Sequence, residues 1–141
     1  MAFIIIDLEF NNLSGIHKCI PNVYNDNPGL KNLELDNEII EIGAVKLDAH
    51  MQPCEELKVY IKPSVIPIIN PKILEITKIN IKDLENGVGF VEGINKLKEM
   101  VDEGDIICSW AKDDIAEIIR NANYYGYDDL SWIDNYLDIQ E

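Results

Sequence analysis

Ala2-Phe3-Ile4-Ile5-Ile6-Asp7-Leu8-Glu9 opens the chain with an unbroken apolar run that ends on two acids flanking a leucine. Bulky, β-branched runs of this length read as a strand buried on both faces. The run is cut off by Asp7 and has no basic segment before it, so it is too short for a membrane span or a signal peptide. Residues two apart on a strand share a face, which projects Asp7 and Glu9 together and sends Leu8 to the other side. Two carboxylates at the end of an apolar strand repel each other unless a cation lies between them. Hard oxygen donors of that kind suit a divalent metal. A frayed strand end with two solvated acids has the same spacing.

Outward from this strand, residues 11–37 are rich in Asn, carry Pro21, Pro28 and Gly29, and show no period. They read as a long loop with short ordered pieces. Glu38–Leu47 is predicted as a second strand and Glu56–Ile61 as a third, joined by a turn near Asp48–Pro53 into an antiparallel hairpin. Pro63, Pro67 and Pro71 then mark a connector that excludes a central strand. Short helices are expected near Lys72–Thr77 and Ile81–Glu85. A longer one runs over Phe90–Val101, with Phe90, Ile94, Leu97 and Val101 on one face. Asp105–Trp110 is a fourth strand, and Asp113–Tyr125 a helix with Ile115, Ile118, Ile119 and Ala122 on one side. Leu130–Tyr136 is expected to be a fifth strand. The order β-β-β-α-β-α-β specifies an α/β fold with a mixed sheet.

With 141 residues, of which 47% are hydrophobic and 27% charged, the chain has material for one packed domain. Lys and Arg total 12 against 26 Asp and Glu, a formal charge of −14. That balance excludes nucleic-acid binding through a bulk cationic surface, and attraction to anionic membranes with it. A site that handles phosphate through a bound cation is compatible with it. Cys19, Cys54 and Cys108 are odd in number and widely spaced, the pattern of buried or half-buried thiols in a reducing, cytoplasmic setting.

A second pair of acids, Asp113-Asp114, lies where the fourth strand runs into its helix. Helix starts favour acids as caps and dipole partners. The helical period separates the two. Asp114 falls one turn before Ile118 on the inward stripe, and Asp113 one turn before Glu117 on the polar face. Asp113 therefore reads as the cap and Asp114 as the candidate ligand.

Ile4–Phe10, Glu38-Ile39-Ile40-Glu41-Ile42-Gly43-Ala44-Val45 and Ser109-Trp110 with Asp114, in this order, resemble the DEDDh group of DnaQ-like 3′–5′ exonucleases, most of all the KapD-type branch. Ile76-Thr77-Lys78-Ile79 and Gly87-Val88-Gly89-Phe90 are similar to that family's connector. The resemblance spans essentially the whole chain. It implies an RNase H-like mixed five-stranded sheet flanked by helices, and two-metal phosphodiester hydrolysis at the 3′ end of single-stranded DNA or RNA, with Mg²⁺ or Mn²⁺ as cofactor. It further implies that Asp7 bridges both ions, that Glu9 binds the nucleophile-side ion, and that Asp114 supports the second. Phe10, Asn11 and Trp110 would then contact the terminal nucleotide.

The chain departs from the family in its third motif, a His with an Asp about five residues later on a helix beyond the fifth strand. Its only histidines are His17 and His50. The expectation is therefore a fold that is C-terminally incomplete, belonging either to a fragment or to a shortened and catalytically impaired relative. A sheet face left uncovered would expose an apolar patch around Trp132, Ile133 and Tyr136, which a second copy of the chain could cover as a homodimer. Two other functions fit the same sequence: a catalytically inactive binding module that keeps the fold, and an acidic interaction protein that acts through its charge.

Overall fold

A computed structural model describes residues 1–109 and 113–139, the side chain of Asp113 excepted. β1 (Phe3–Asn12) leads into α1 (Leu13–Cys19), α2 (Val23–Asp26) and a 3₁₀ turn at Pro28–Asn32. β2 (Asn37–Leu47) and β3 (Pro53–Tyr60) follow. After them come α3 (Pro71–Thr77), α4 (Ile81–Glu85), α5 (Phe90–Met100), β4 (Ile106–Ser109), α6 (Asp113–Tyr124), a second 3₁₀ turn at Ser131–Ile133, and β5 (Tyr136–Asp138). The sheet order is β3-β2-β1-β4-β5. β1 and β2, and β2 and β3, pair antiparallel, while β4 joins β1 and β5 joins β4 in parallel. The mixed α/β sheet expected from the sequence is present.

One side of the sheet carries the core. Ile4, Ile6 and Leu8 from β1, Ile42 and Ala44 from β2, and Ile107 from β4 pack against Phe90, Ile94 and Leu97 of α5 and Ile115, Ile118 and Ala122 of α6. β1 is therefore buried on one face only, contrary to the reading of its apolar run. Ile5, on the other face, is 37% exposed. The run misleads because its length resembles that of a central parallel strand, whereas α5 and α6 both lie on the same side. Ile119, expected on the inward stripe of α6, is also exposed.

Other expectations need extension or correction. Residues 13–32 hold short ordered pieces, as expected, and Leu13, Ile16, Val23 and Leu30 additionally bury themselves with Ile66 in a small core of their own. The fifth strand begins at Tyr136, and Trp132-Ile133 belongs to a 3₁₀ turn whose Ile133 is buried in the main core. The apolar residues left on the open face are instead Ile5, Leu137 at 53% exposed, and Ile139. Cys19 and Cys54 are exposed, and Cys108 alone is buried. No feature of the fold supports the homodimer expected over the open face. Among the described residues, no helix is long and apolar enough to cross a membrane.

Candidate active site

The open face is built by strand parity. Directly paired residues project to the same side of a sheet, and Asp7 pairs with Gly43, Glu9 with Glu41. Asp7 is exposed, Glu9 is half-buried, and Glu41 stands directly across from Glu9. Immediately after Glu9 the register shifts by one residue. This bulge diverts Ile40 into a satellite cluster with Ile79 and Leu84, so α3 and α4 cover only that corner of the face. The freed β2 backbone is taken up by α6: Asn121 Oδ1 accepts from Ile39 N at 3.1 Å, and its Nδ2 donates to Asn37 O at 3.0 Å.

The charges around Glu9 are unbalanced. Burial pushes its carboxyl up from the ordinary range, and Asp7, Glu41 and Asp114 push it further in the same direction. Glu41 is likewise raised, first by burial, with Lys58 opposing and Asp7 adding to the shift. Asp114, on the first turn of α6, is 4% exposed, and Ser109 Oγ donates to its Oδ2 at 3.3 Å. It lies near enough to act on Glu9, from the end of β4.

This donor set fits a divalent cation in its chemistry: hard oxygens that repel one another and gain from a positive charge between them. Asp7 and Glu9 are the pair placed to hold it. Among the described residues, however, no group of three or more His, Cys, Asp or Glu is drawn together closely enough to hold a metal ion. The three carboxylates read from the sequence are thus neighbours rather than a closed ligand set.

The remaining candidates take other places. Asn11 is fully buried: its Nδ2 donates to Ile68 O at 2.9 Å and its Oδ1 accepts from Asn70 N at 2.9 Å. Its side chain ties β1 to the connector, which leaves no side-chain surface for a nucleotide. Phe10 is half-buried against the main core, on the opposite side of the strand from Glu9. Trp110 lies outside the described residues, as does the side chain of Asp113. Glu117, assigned to the polar face of α6, is buried and bonded to Asn37 and Arg120.

Two contributors escaped the sequence reading. Glu38 is buried and accepts backbone N–H groups from Ser64 (2.7 Å), Val65 (2.9 Å) and Ile66 (3.0 Å). Lys58 pairs with Glu41 at 3.7 Å. The period-2 pattern of β2 could have shown Glu41 beside Glu9 once the register was known. His17 is on α1 with its ring 4.7 Å from that of Tyr24, and His50 is in the β2–β3 turn, at the end of the sheet away from Glu9.

The family model described as Exonuclease (RNase_T) matches residues 4–138. Solved structures share the fold. The nuclease domain of 3′hExo, a DEDDh family member bound to rAMP, superposes with a TM-score of 0.67 at 18% identity, over 95% of this chain and 62% of that one. A 3′-exonuclease solved for its 3′-end specific recognition of a histone mRNA stem-loop gives 0.65 at 19% identity, over 88% of this chain and 52% of the other. Exonuclease I of E. coli, in complex with a 5cy-dA13 oligonucleotide, gives 0.67 at 15% identity, over 98% of this chain and 28% of that one. The chain spans about half the length of the first of these relatives or a little more, and less of the last. No curated protein matches it.

Proposed function

The chain belongs to the exonuclease (RNase_T) family, whose model spans residues 4–138, and on that premise we propose that it hydrolyses nucleic-acid phosphodiester bonds at single-stranded 3′ ends with Mg²⁺ or Mn²⁺. The observation that carries this reading is the placement of Asp7 and Glu9 side by side on an open sheet face, with Glu9 destabilised as an anion by Asp7, Glu41 and Asp114. Like-charged acids crowded in that arrangement are a cost to folding that a cation removes.

Asp7 and Glu9 would hold the ions, with Asp114 supporting from the first turn of α6. When bound, a pair of divalent ions supplies charge stabilisation for the attacking and leaving oxygens. The chain's own residues set the geometry. Ser109 fixes the Asp114 carboxylate, and Asn121 fixes the backbone of β2 beside the bulge. The exposed face above Asp7 admits a strand end from solvent.

A second reading is favoured by the histidines. Neither His17 nor His50 lies after Asp114, and His50 sits at the far end of the sheet. A site that lacked a positioned base would forgo the typical 10²–10⁴-fold contribution of general acid–base chemistry. The 141-residue chain would then act as an impaired nuclease, or as a binding module that retains the fold. Incubation of a 5′-labelled single strand with Mn²⁺ tests both: slow shortening from the 3′ end, absent in Asp7→Asn, supports the impaired nuclease. Metal-dependent binding without any shortening supports the binding module. Digestion that survives Asp7→Asn contradicts both.

A further inference from the structure

Three cross-strand rows run over the open face: Ile5–Val45–Glu56, Asp7–Gly43–Lys58 and Glu9–Glu41–Tyr60. The middle row has an acid at one end, a lysine at the other and no side chain between them. A trough of about 620 Å³ lies over the first two rows and Glu41, and Lys58 is the one basic side chain among its described lining residues. We propose that Lys58 is a substrate-binding residue, reaching across the notch at Gly43 to contact a phosphate of the nucleic-acid strand whose end is held at Asp7 and Glu9. This rests on the nuclease reading and extends it to a specific contact.

Gly43 is not demanded by its surroundings. It does not have a positive φ. A Cβ built there would meet only the Asp7 carbonyl oxygen, at 3.4 Å, an ordinary contact. What the glycine provides is clearance over the centre of the face. Two strand spacings separate Asp7 from Lys58, about 9–10 Å between backbones, and the lysine's flexible four-carbon stem can lie across that gap.

Lys58 is also accessible to a second partner from solvent. Its side chain is 66% exposed, its ammonium is 3.7 Å from Glu41 Oε1, and it stands 5.5 Å from the centroid of the Tyr60 ring. Glu41, the other partner, is only 15% exposed, so a phosphate that draws the ammonium across must outweigh the loss to that carboxylate. The chain's charge of −14 works against any polyanion. A single well-placed ammonium beside the metal platform offsets that where the strand must lie.

The test is the salt dependence of binding to a short single strand in Mn²⁺, read by fluorescence anisotropy, alongside the Mn²⁺-induced rise in melting temperature. The unaltered chain should bind with a log–log salt slope near −0.7, the value for roughly one neutralised phosphate on a single strand. Lys58→Gln should weaken binding about tenfold, the worth of one charged hydrogen bond, and flatten the slope, with the Mn²⁺-induced rise retained. Lys58→Arg should keep both affinity and slope. Gly43→Val, which fills the notch, should weaken binding as well. Unchanged affinity and slope in Lys58→Gln would overturn the assignment while leaving the nuclease reading in place. A G43V chain that binds as tightly as the unaltered one would overturn the path across the notch. Failure of the unaltered chain to bind at all in Mn²⁺ would overturn both the nuclease reading and this contact.

Discussion

Glu9 is where charge and fold conflict most openly. Burial, then Asp7, Glu41 and Asp114, raise its pKa in the folded chain, so the native state holds this proton more tightly than the unfolded state does. The associated stability is present at pH below the ordinary glutamate value of 4.5 and is lost as pH rises toward the raised value. Above that window the ionised carboxylate weakens the fold. Glu9→Gln should therefore melt higher than the unaltered chain at neutral pH in EDTA, with the difference vanishing near pH 4. A scanning-calorimetry series across pH checks this. A lower melting temperature for Glu9→Gln at neutral pH would mean that an unseen cationic partner already satisfies the carboxylate. Asp7 and Glu9 were legible from the sequence because strand parity needs no tertiary information. Glu117 was not. Its burial comes from Asn37, eighty residues away on β2, which no helical period reveals.

Among the elements, β2 does more than pair with its neighbours. Glu38 at its start holds the backbone of Ser64, Val65 and Ile66 with both carboxylate oxygens, and Ser64 Oγ lies 2.6 Å from Tyr125 Oη. One buried side chain thus clamps the Pro-rich connector against the sheet near α6. Glu38→Ala would leave three N–H donors without their acceptor and should cost about 3 kcal/mol or more. Glu38→Gln, which keeps one carbonyl oxygen, should cost less. Chemical denaturation with a common m-value measures the difference, and equal stability of the alanine variant would show that water replaces the carboxylate freely. The first four strands and the α5 and α6 helices were readable from hydrophobic pattern. The fifth strand was misplaced because Leu130-Ser131-Trp132-Ile133 looks extended by composition, yet its Ile133 is claimed by the core beneath the sheet. The small core that holds residues 13–32 was not legible for a similar reason: their apolar residues are sparse in sequence and find Ile66 only in three dimensions.

At the scale of the whole molecule, one sheet face is covered by two helices and the other carries the acids, Lys58 and a band of apolar residues including Ile5 and Leu137. This asymmetry, together with the sequence family, makes the open face the place where substrate and metal would meet. Net charge reinforces the point, since an acidic surface repels nucleic acid everywhere except where cations collect. The central claim is that Asp7 and Glu9 form a divalent-metal platform, and thermal melting across a Mn²⁺ titration addresses it without requiring turnover. Ion binding to the folded chain alone should raise stability by mass action, about 2.7 kcal/mol at a hundredfold excess over the dissociation constant. The rise should disappear in Asp7→Asn and persist in Asp83→Asn, an exposed acid on α4. No rise in the unaltered chain, or an equal rise in Asp7→Asn, would contradict the assignment of this face as a metal-dependent site.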